Sequence, residues 1–222
     1  MIRLIRRVRK SLSTKLILIA GVILMLTISA WSYFSIAYQK EYLQQKFVAQ
    51  TERLGNTIKL GAHYAMMLNS RDDINQIINN IARLKEIRHI RIYNKEGAIK
   101  FTNQLEELEQ VTNIKSEACY ICHRGDPPSV NVALNERTRF FTAPDGQRLL
   151  GVITPIENEP GCSTGGCHFH PAEKKILGAL DVVVTLAETE QEILFMERGV
   201  IGLALIAFLV TSAIIFLFLM RF

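Results

Sequence analysis

The chain has 222 residues, 49% of them apolar and 21% charged, with a formal net charge of +5, and its mean hydropathy lies above zero. No water-soluble domain of ordinary make-up carries that apolar excess, so a disordered chain, a collagen and a purely cytosolic enzyme are excluded. The excess is concentrated in two runs, which also excludes a polytopic transporter.

In chain order, residues 1–15 hold Arg3, Arg6, Arg7, Arg9, Lys10 and Lys15 with no acid. Leu16–Tyr38 follows without one Asp, Glu, Lys, Arg or His, and it exceeds the roughly 20 residues that suffice to cross a bilayer. It ends in Trp31, Tyr33, Phe34 and Tyr38 at the position of an interfacial belt, and no small-residue cleavage site follows. The run therefore reads as a retained transmembrane helix rather than a signal peptide. A second uncharged run, Gly199–Met220, leads to residues 221–222, with Arg221 at the start of a further cytoplasmic segment. Between the runs, residues 39–198 make one domain's length, and they hold all 21 acids and all but seven of the 26 bases. The basic balance thus belongs to the tails and carries no message about nucleic acid. The positive-inside rule puts both termini in the cytoplasm and 39–198 outside it, the topology of a bacterial inner-membrane protein.

After the first crossing, helical periodicity continues unbroken to Asn69-Ser70. Leu43, Phe47, Leu54, Ile58 and Ala65 form one apolar seam at helical spacing; Leu60, His63, Met66 and Met67 form another face. The first seam is expected to be covered by a partner helix, most simply in a parallel homodimer through this long helix. Ser70 and Asp73 resemble a capping box before a second amphipathic helix marked by Ile74, Ile77, Ile78, Ile81 and Leu84. From Arg88 the period becomes two. Arg88–Tyr93 and Ala98–Thr102 around Asn94–Gly97 predict a hairpin, as do Arg137–Thr142 and Gln147–Ile156 around Ala-Pro-Asp-Gly. Ile176–Leu186 predicts a fifth strand, and Ala187–Arg198 a helix returning to the membrane.

All four cysteines fall in motifs that end in histidine: Cys119-Tyr-Ile-Cys122-His123 and Cys162-Ser-Thr-Gly-Gly-Cys167-His168. The first is the attachment signature of a c-type haem, in which two thiols one helical turn apart take up the porphyrin's two vinyl groups and the next imidazole binds iron. The second keeps the Cys-His step across a longer spacer, like the expanded attachment motif of some multihaem cytochromes. Four thiolates could instead hold zinc, and an exported domain could form two disulfides. Neither alternative explains a histidine directly after both second cysteines. Two covalently attached haems are therefore expected, with His123 and His168 as proximal ligands. For the opposite iron positions, His170 is expected to cross to the Cys119/Cys122 haem and His63 to cap the Cys162/Cys167 haem, with Met66, Met67 and Met196 as further donors. His89, between Arg88 and Ile90 in a predicted strand, is expected at the surface.

The stretches IRIYNKEGAIKFT, EACYICH, RTRFFTAPDGQRLLGVITPIENEPGCSTGGCHFHP and ILGALDVVVTL together resemble the haem-binding periplasmic sensor region of membrane-bound bacterial sensor histidine kinases. The resemblance implies an α+β, PAS- or Cache-like domain, an antiparallel sheet of about five strands plus long helices, between two transmembrane helices. It also implies a redox or gas-ligand sensor feeding a cytoplasmic kinase. No such output domain lies within these residues, so no enzymatic activity is expected of them. The alternative is a dihaem electron-transfer subunit linking the quinone pool or a respiratory membrane complex to periplasmic cytochromes. An output region beyond Phe222 would decide for signalling, and a stop there for electron transfer.

Overall fold

The computed structural model of the chain describes residues 12–113, 115, 117–125, 129, 131–164 and 170–221. The basic residues Arg3–Lys10 and the second motif's Cys167 and His168 lie outside the described residues. The element order is α1 (Leu12–Met67), α2 (Arg71–Ile81), β1 (Ile87–Asn94), β2 (Ile99–Thr102), a 3-10 turn (Leu105–Glu107), α3 (Glu117–His123), β3 (Thr138–Thr142), β4 (Arg148–Glu157), α4 (Pro160–Thr164), β5 (Ile176–Thr185) and α5 (Ala187–Arg221). The chain divides into two compact units, one comprising Gln45–Thr189 and the other the residues on either side of it.

In the flanking unit, α1 and α5 are each long and apolar enough to cross a membrane. Their apolar side chains face outward, among them Leu18, Val22, Leu26 and Phe34 on α1 and Leu209, Ile214 and Leu217 on α5.

In the Gln45–Thr189 unit, α1 ends where the sequence indicates, through a Schellman motif. Asn69 takes the left-handed conformation (φ 53°), the Ser70 amide donates to the Ala65 carbonyl (2.9 Å), and the Asn69 amide donates to the Met66 carbonyl (3.0 Å). Ser70 then occupies the N-cap of α2, but not as half of a capping box. Its hydroxyl donates to the Asp73 carboxylate (2.6 Å) and caps no backbone amide. Leu84 falls beyond the end of α2 and is exposed.

The sheet is antiparallel throughout, in the order β2-β1-β5-β4-β3. Both predicted hairpins form, and their turns use the chemistry the sequence offers. Asn94 Oδ1 accepts from the Glu96 and Ala98 amides (3.1 and 2.9 Å), Asp145 Oδ1 accepts from the Gln147 amide (3.1 Å), and Gly97 and Gly146 supply φ values of 79° and 84°. Strand alternation puts Ile90, Ile92, Leu150, Val152, Leu180, Val182 and Val184 on one face, where they pack with Ile74 and Ile78 of α2 and Ile58 and Ala65 of α1. Fully burying each such aliphatic side chain contributes about 1.5–3 kcal/mol.

This core corrects the reading of the first seam on α1. Ile58 is wholly buried, and Phe47 and Leu54 pack against the same cluster, so the chain's own domain covers these residues of the seam, whereas Leu43 is not part of the cluster. The exposed stripe of α1 in this unit runs instead through Arg53, Thr57, Leu60 and Tyr64.

Candidate functional site

The first cysteine motif and Cys162 of the second line two different cavities, which strand alternation places on opposite faces of the sheet. The first motif forms the short helix α3, whose i, i+3 spacing brings Cys119 and Cys122 to one side of a single turn with His123 next to them. All three line a cavity of about 240 Å³ whose apolar wall comes from Ile153 and Pro155 of β4 and Ala179 of β5. Cys122 is half-buried, and burial pushes its thiol above the ordinary range against the pull of the nearby Arg137 guanidinium. Arg137 donates to the Val132 carbonyl (3.0 Å), the Ile153 carbonyl (2.7 Å) and Glu52 of α1 (2.6 Å). It therefore ties the segment that follows the motif to both β4 and α1.

The second cavity, about 210 Å³, lies on the helix side of the sheet. His63, Met66 and Met67 of α1, Cys162 of α4 and His170 line it together. The imidazole Nε2 of His63 stands 3.8 Å from the Glu159 carboxylate. The chain between Cys162 and His170 is closed at its base, where the His170 amide donates to the Cys162 carbonyl (3.0 Å). Asn158 pins the outer neck, with its amide on the Lys175 carbonyl (2.8 Å) and its side chain on the carbonyls of Pro171 (2.9 Å) and Lys174 (2.8 Å).

His63, Cys162 and His170 line one cavity, and Cys119, Cys122 and His123 line the other. Among the described residues Cys119, Cys122 and Cys162 form no disulfide, and no group of three His, Cys, Asp or Glu side chains gathers as a bare metal ion would need. His89 is not a surface residue. Its side chain is 21% exposed and lies 3.4 Å from Glu107.

Several residues of this region escaped the sequence reading. Tyr93, Asn94 and Gly178 line both cavities. On the face of the first cavity, Asp181 is completely buried in β5, with Arg139 donating to both its carboxylate oxygens (2.9 and 2.7 Å) and Arg91 at 3.5 Å. Arg91 is paired in turn with Glu107 (2.7 Å). An Asp in the middle of the apolar run Ile176–Thr185 was the available signal.

No protein-family model matches the chain, and no curated protein does. Among solved structures, the sensory domain of the Campylobacter jejuni chemoreceptor Tlp3 is similar at 10% identity and a TM-score of 0.43, over 76% of this chain and 64% of that one. The periplasmic domain of RsbU from Chlamydia trachomatis is similar at 14% identity and a TM-score of 0.35, over 76% of this chain and 58% of that one. An extracellular ligand binding receptor from Desulfohalobium retbaense is similar at 10% identity and a TM-score of 0.31, over 62% of this chain and 24% of that one. The chain spans less than two thirds of each.

Proposed function

We propose that the chain is the sensing region of a bacterial inner-membrane receptor, with a domain outside the cytoplasm that carries two covalently attached c-type haems. The observation that carries this reading is that the first motif and Cys162 of the second each line a cavity of their own. Cys119, Cys122 and His123 share one, and Cys162 shares the other with the nitrogen and sulfur donors His63, His170, Met66 and Met67. The donor set fits the group. Two thiols three residues apart beside an imidazole suit thioether attachment and axial ligation, and the apolar walls suit a porphyrin face. Bound there, a haem supplies an iron whose charge changes on one-electron transfer or that takes up a small diatomic ligand.

This chain's residues have distinct parts in that reading. Cys119, Cys122, Cys162 and Cys167 would hold the groups, His123 and His168 would supply the imidazoles beside them, and His63 and His170 would offer further nitrogen donors at the Cys162 side. β5 walls both cavities through Gly178 and continues after Leu186 into α5. A change at either cavity therefore acts on the strand that leads into the second apolar helix. A bias of a few kcal/mol between two packings is enough to switch a two-state receptor.

A denaturing gel stained for haem, with haemochrome quantitation on the same sample, tests the reading. Two haems per chain are expected. One per chain removes the Cys162 motif from the reading, and zinc without haem removes both.

A further inference from the structure

Asp181 is the one charged residue among the described residues that is fully buried. The guanidinium groups that hold it come from different strands, Arg139 of β3 on both its oxygens (2.9 and 2.7 Å) and Arg91 of β1 at 3.5 Å. Arg91 ties Glu107 into the same cluster (2.7 Å). The neighbouring strand is thinned to admit it: a Cβ on Gly151 of β4 would stand 2.5 Å from the Arg139 guanidinium carbon, and a glycine inside a strand weakens it. Arg139 Nη1 is buried there without a hydrogen-bond partner. A buried ion pair stabilises no more than well-packed apolar residues of the same volume, because desolvation offsets the attraction. Stability is therefore a poor reason for this cluster, and its place in the sheet points to another. Asp181 pairs across the ladder with Ile153 and lies one same-face step beyond Ala179, and both of these line the Cys119/Cys122 cavity. In a sheet those are backbone separations of about 5 and 7 Å. The cavity of Cys162 and His63 lies on the opposite face, where the buried residues of β4 and β5 are aliphatic apart from Thr154.

We propose that the charges of Asp181, Arg139, Arg91 and Glu107 tune the redox potential of the group held by Cys119 and Cys122, and act far less on the group at Cys162. The proposal rests on the haem reading above and deepens it. None of the four residues lines the cavity, so they act through their charge, in buried surroundings where a charge is felt more strongly than in water. Oxidation adds one positive charge at the iron. A neighbouring carboxylate therefore favours the oxidised state and a neighbouring guanidinium the reduced one.

The test is a potentiometric titration of the haem-loaded full chain, followed in the visible spectrum, for the wild type, Asp181→Asn and Arg139→Gln at equal haem content. The Cys119/Cys122 component is identified as the one missing from a chain with Cys119→Ser and Cys122→Ser. Asp181→Asn is expected to raise its potential and Arg139→Gln to lower it, each by about tenfold in the reduction equilibrium, ~59 mV for one electron, with the other component moving less. A loosened fold would not give opposite signs, since both substitutions break the same ion pair. If either variant fails to mature, Glu107→Gln and Arg91→Gln, at side chains that are each 20% exposed, remove one charge of each sign and are expected to give the same opposite shifts. Shifts of one sign, equal movement of both components, or no movement overturns the proposal while leaving the haem reading intact. A wild-type chain without haem overturns both.

Discussion

Asp181 shows what the sheet spends on its second face: a carboxylate with no exposure, held between two guanidinium groups. His89 sits at the edge of the same cluster. Burial first, and then the Arg91 charge, hold its imidazole below the ordinary 6.5, with Arg88 acting in the same direction and Glu107 and Asp181 opposing. Above 6.5 both folded and unfolded forms are neutral; below it the unfolded chain takes up a proton that the folded chain refuses. Stability is therefore full above about pH 6.5 and falls as the pH drops toward the depressed folded value. Glu107 adds a loss of the same sign below 4.5: burial tends to raise its carboxyl, but the hydrogen bond and charge of Arg91 outweigh that and lower it. Denaturant unfolding of the wild type should lose stability between pH 7 and 5, and His89→Gln should lose measurably less over that window. Alternation in β1 made His89 look like an outward residue. The alternation was real, but it cannot show that the outward face is itself covered, as the buried Leu149, Ile153 and Val183 on the same side establish.

At the scale of elements, two glycines of α1 six residues apart call for opposite outcomes. A Cβ on Gly55 would stand 2.7 Å from the Thr154 hydroxyl of β4, whereas one on Gly61 meets nothing within 4 Å. Alanine is intrinsically favoured over glycine in a helix by ~1 kcal/mol, so Gly61→Ala should stabilise by up to that amount. At Gly55 the overpacking against a branched, buried threonine outweighs the propensity, and Gly55→Ala should destabilise by about 1–3 kcal/mol. Thermal unfolding of the two variants side by side checks both signs. The elements themselves were legible because their punctuation is chemical: Asn94 and Gly97, Asp145 and Gly146, and Asn69 each force a local turn. What covers an element was less legible. The seam through Phe47, Leu54 and Ile58 has the same spacing whether a second chain or the home sheet lies against it, and here it is the sheet.

For the molecule as a whole, the proposed topology makes the basic residues of the first 15 positions the orienting charge. Replacing Arg3, Arg6, Arg7, Arg9 and Lys10 with Ala should lower the fraction of chains whose domain is exported, and the haem content of the membrane fraction should drop in proportion, because attachment takes place outside the cytoplasm. Unchanged loading would show that the apolar runs alone set the orientation. The cysteine motifs were legible at this scale because a histidine directly follows the second cysteine of each. Which cavity His170 lines was not, because it goes with a backbone hydrogen bond to Cys162 that no spacing rule reveals. That same bond, together with the three that Asn158 makes across the neck, fastens the ends of the second motif to each other and to the end of the β4–β5 ladder. Residues can be gained or lost inside such a clasp without shifting one rung of the ladder, since each doubling of a loop's length costs only about 0.6 kcal/mol. In lineage terms, this is the place where descendants of the chain can drift in length, and the distance between the second motif's cysteines is the character expected to vary first.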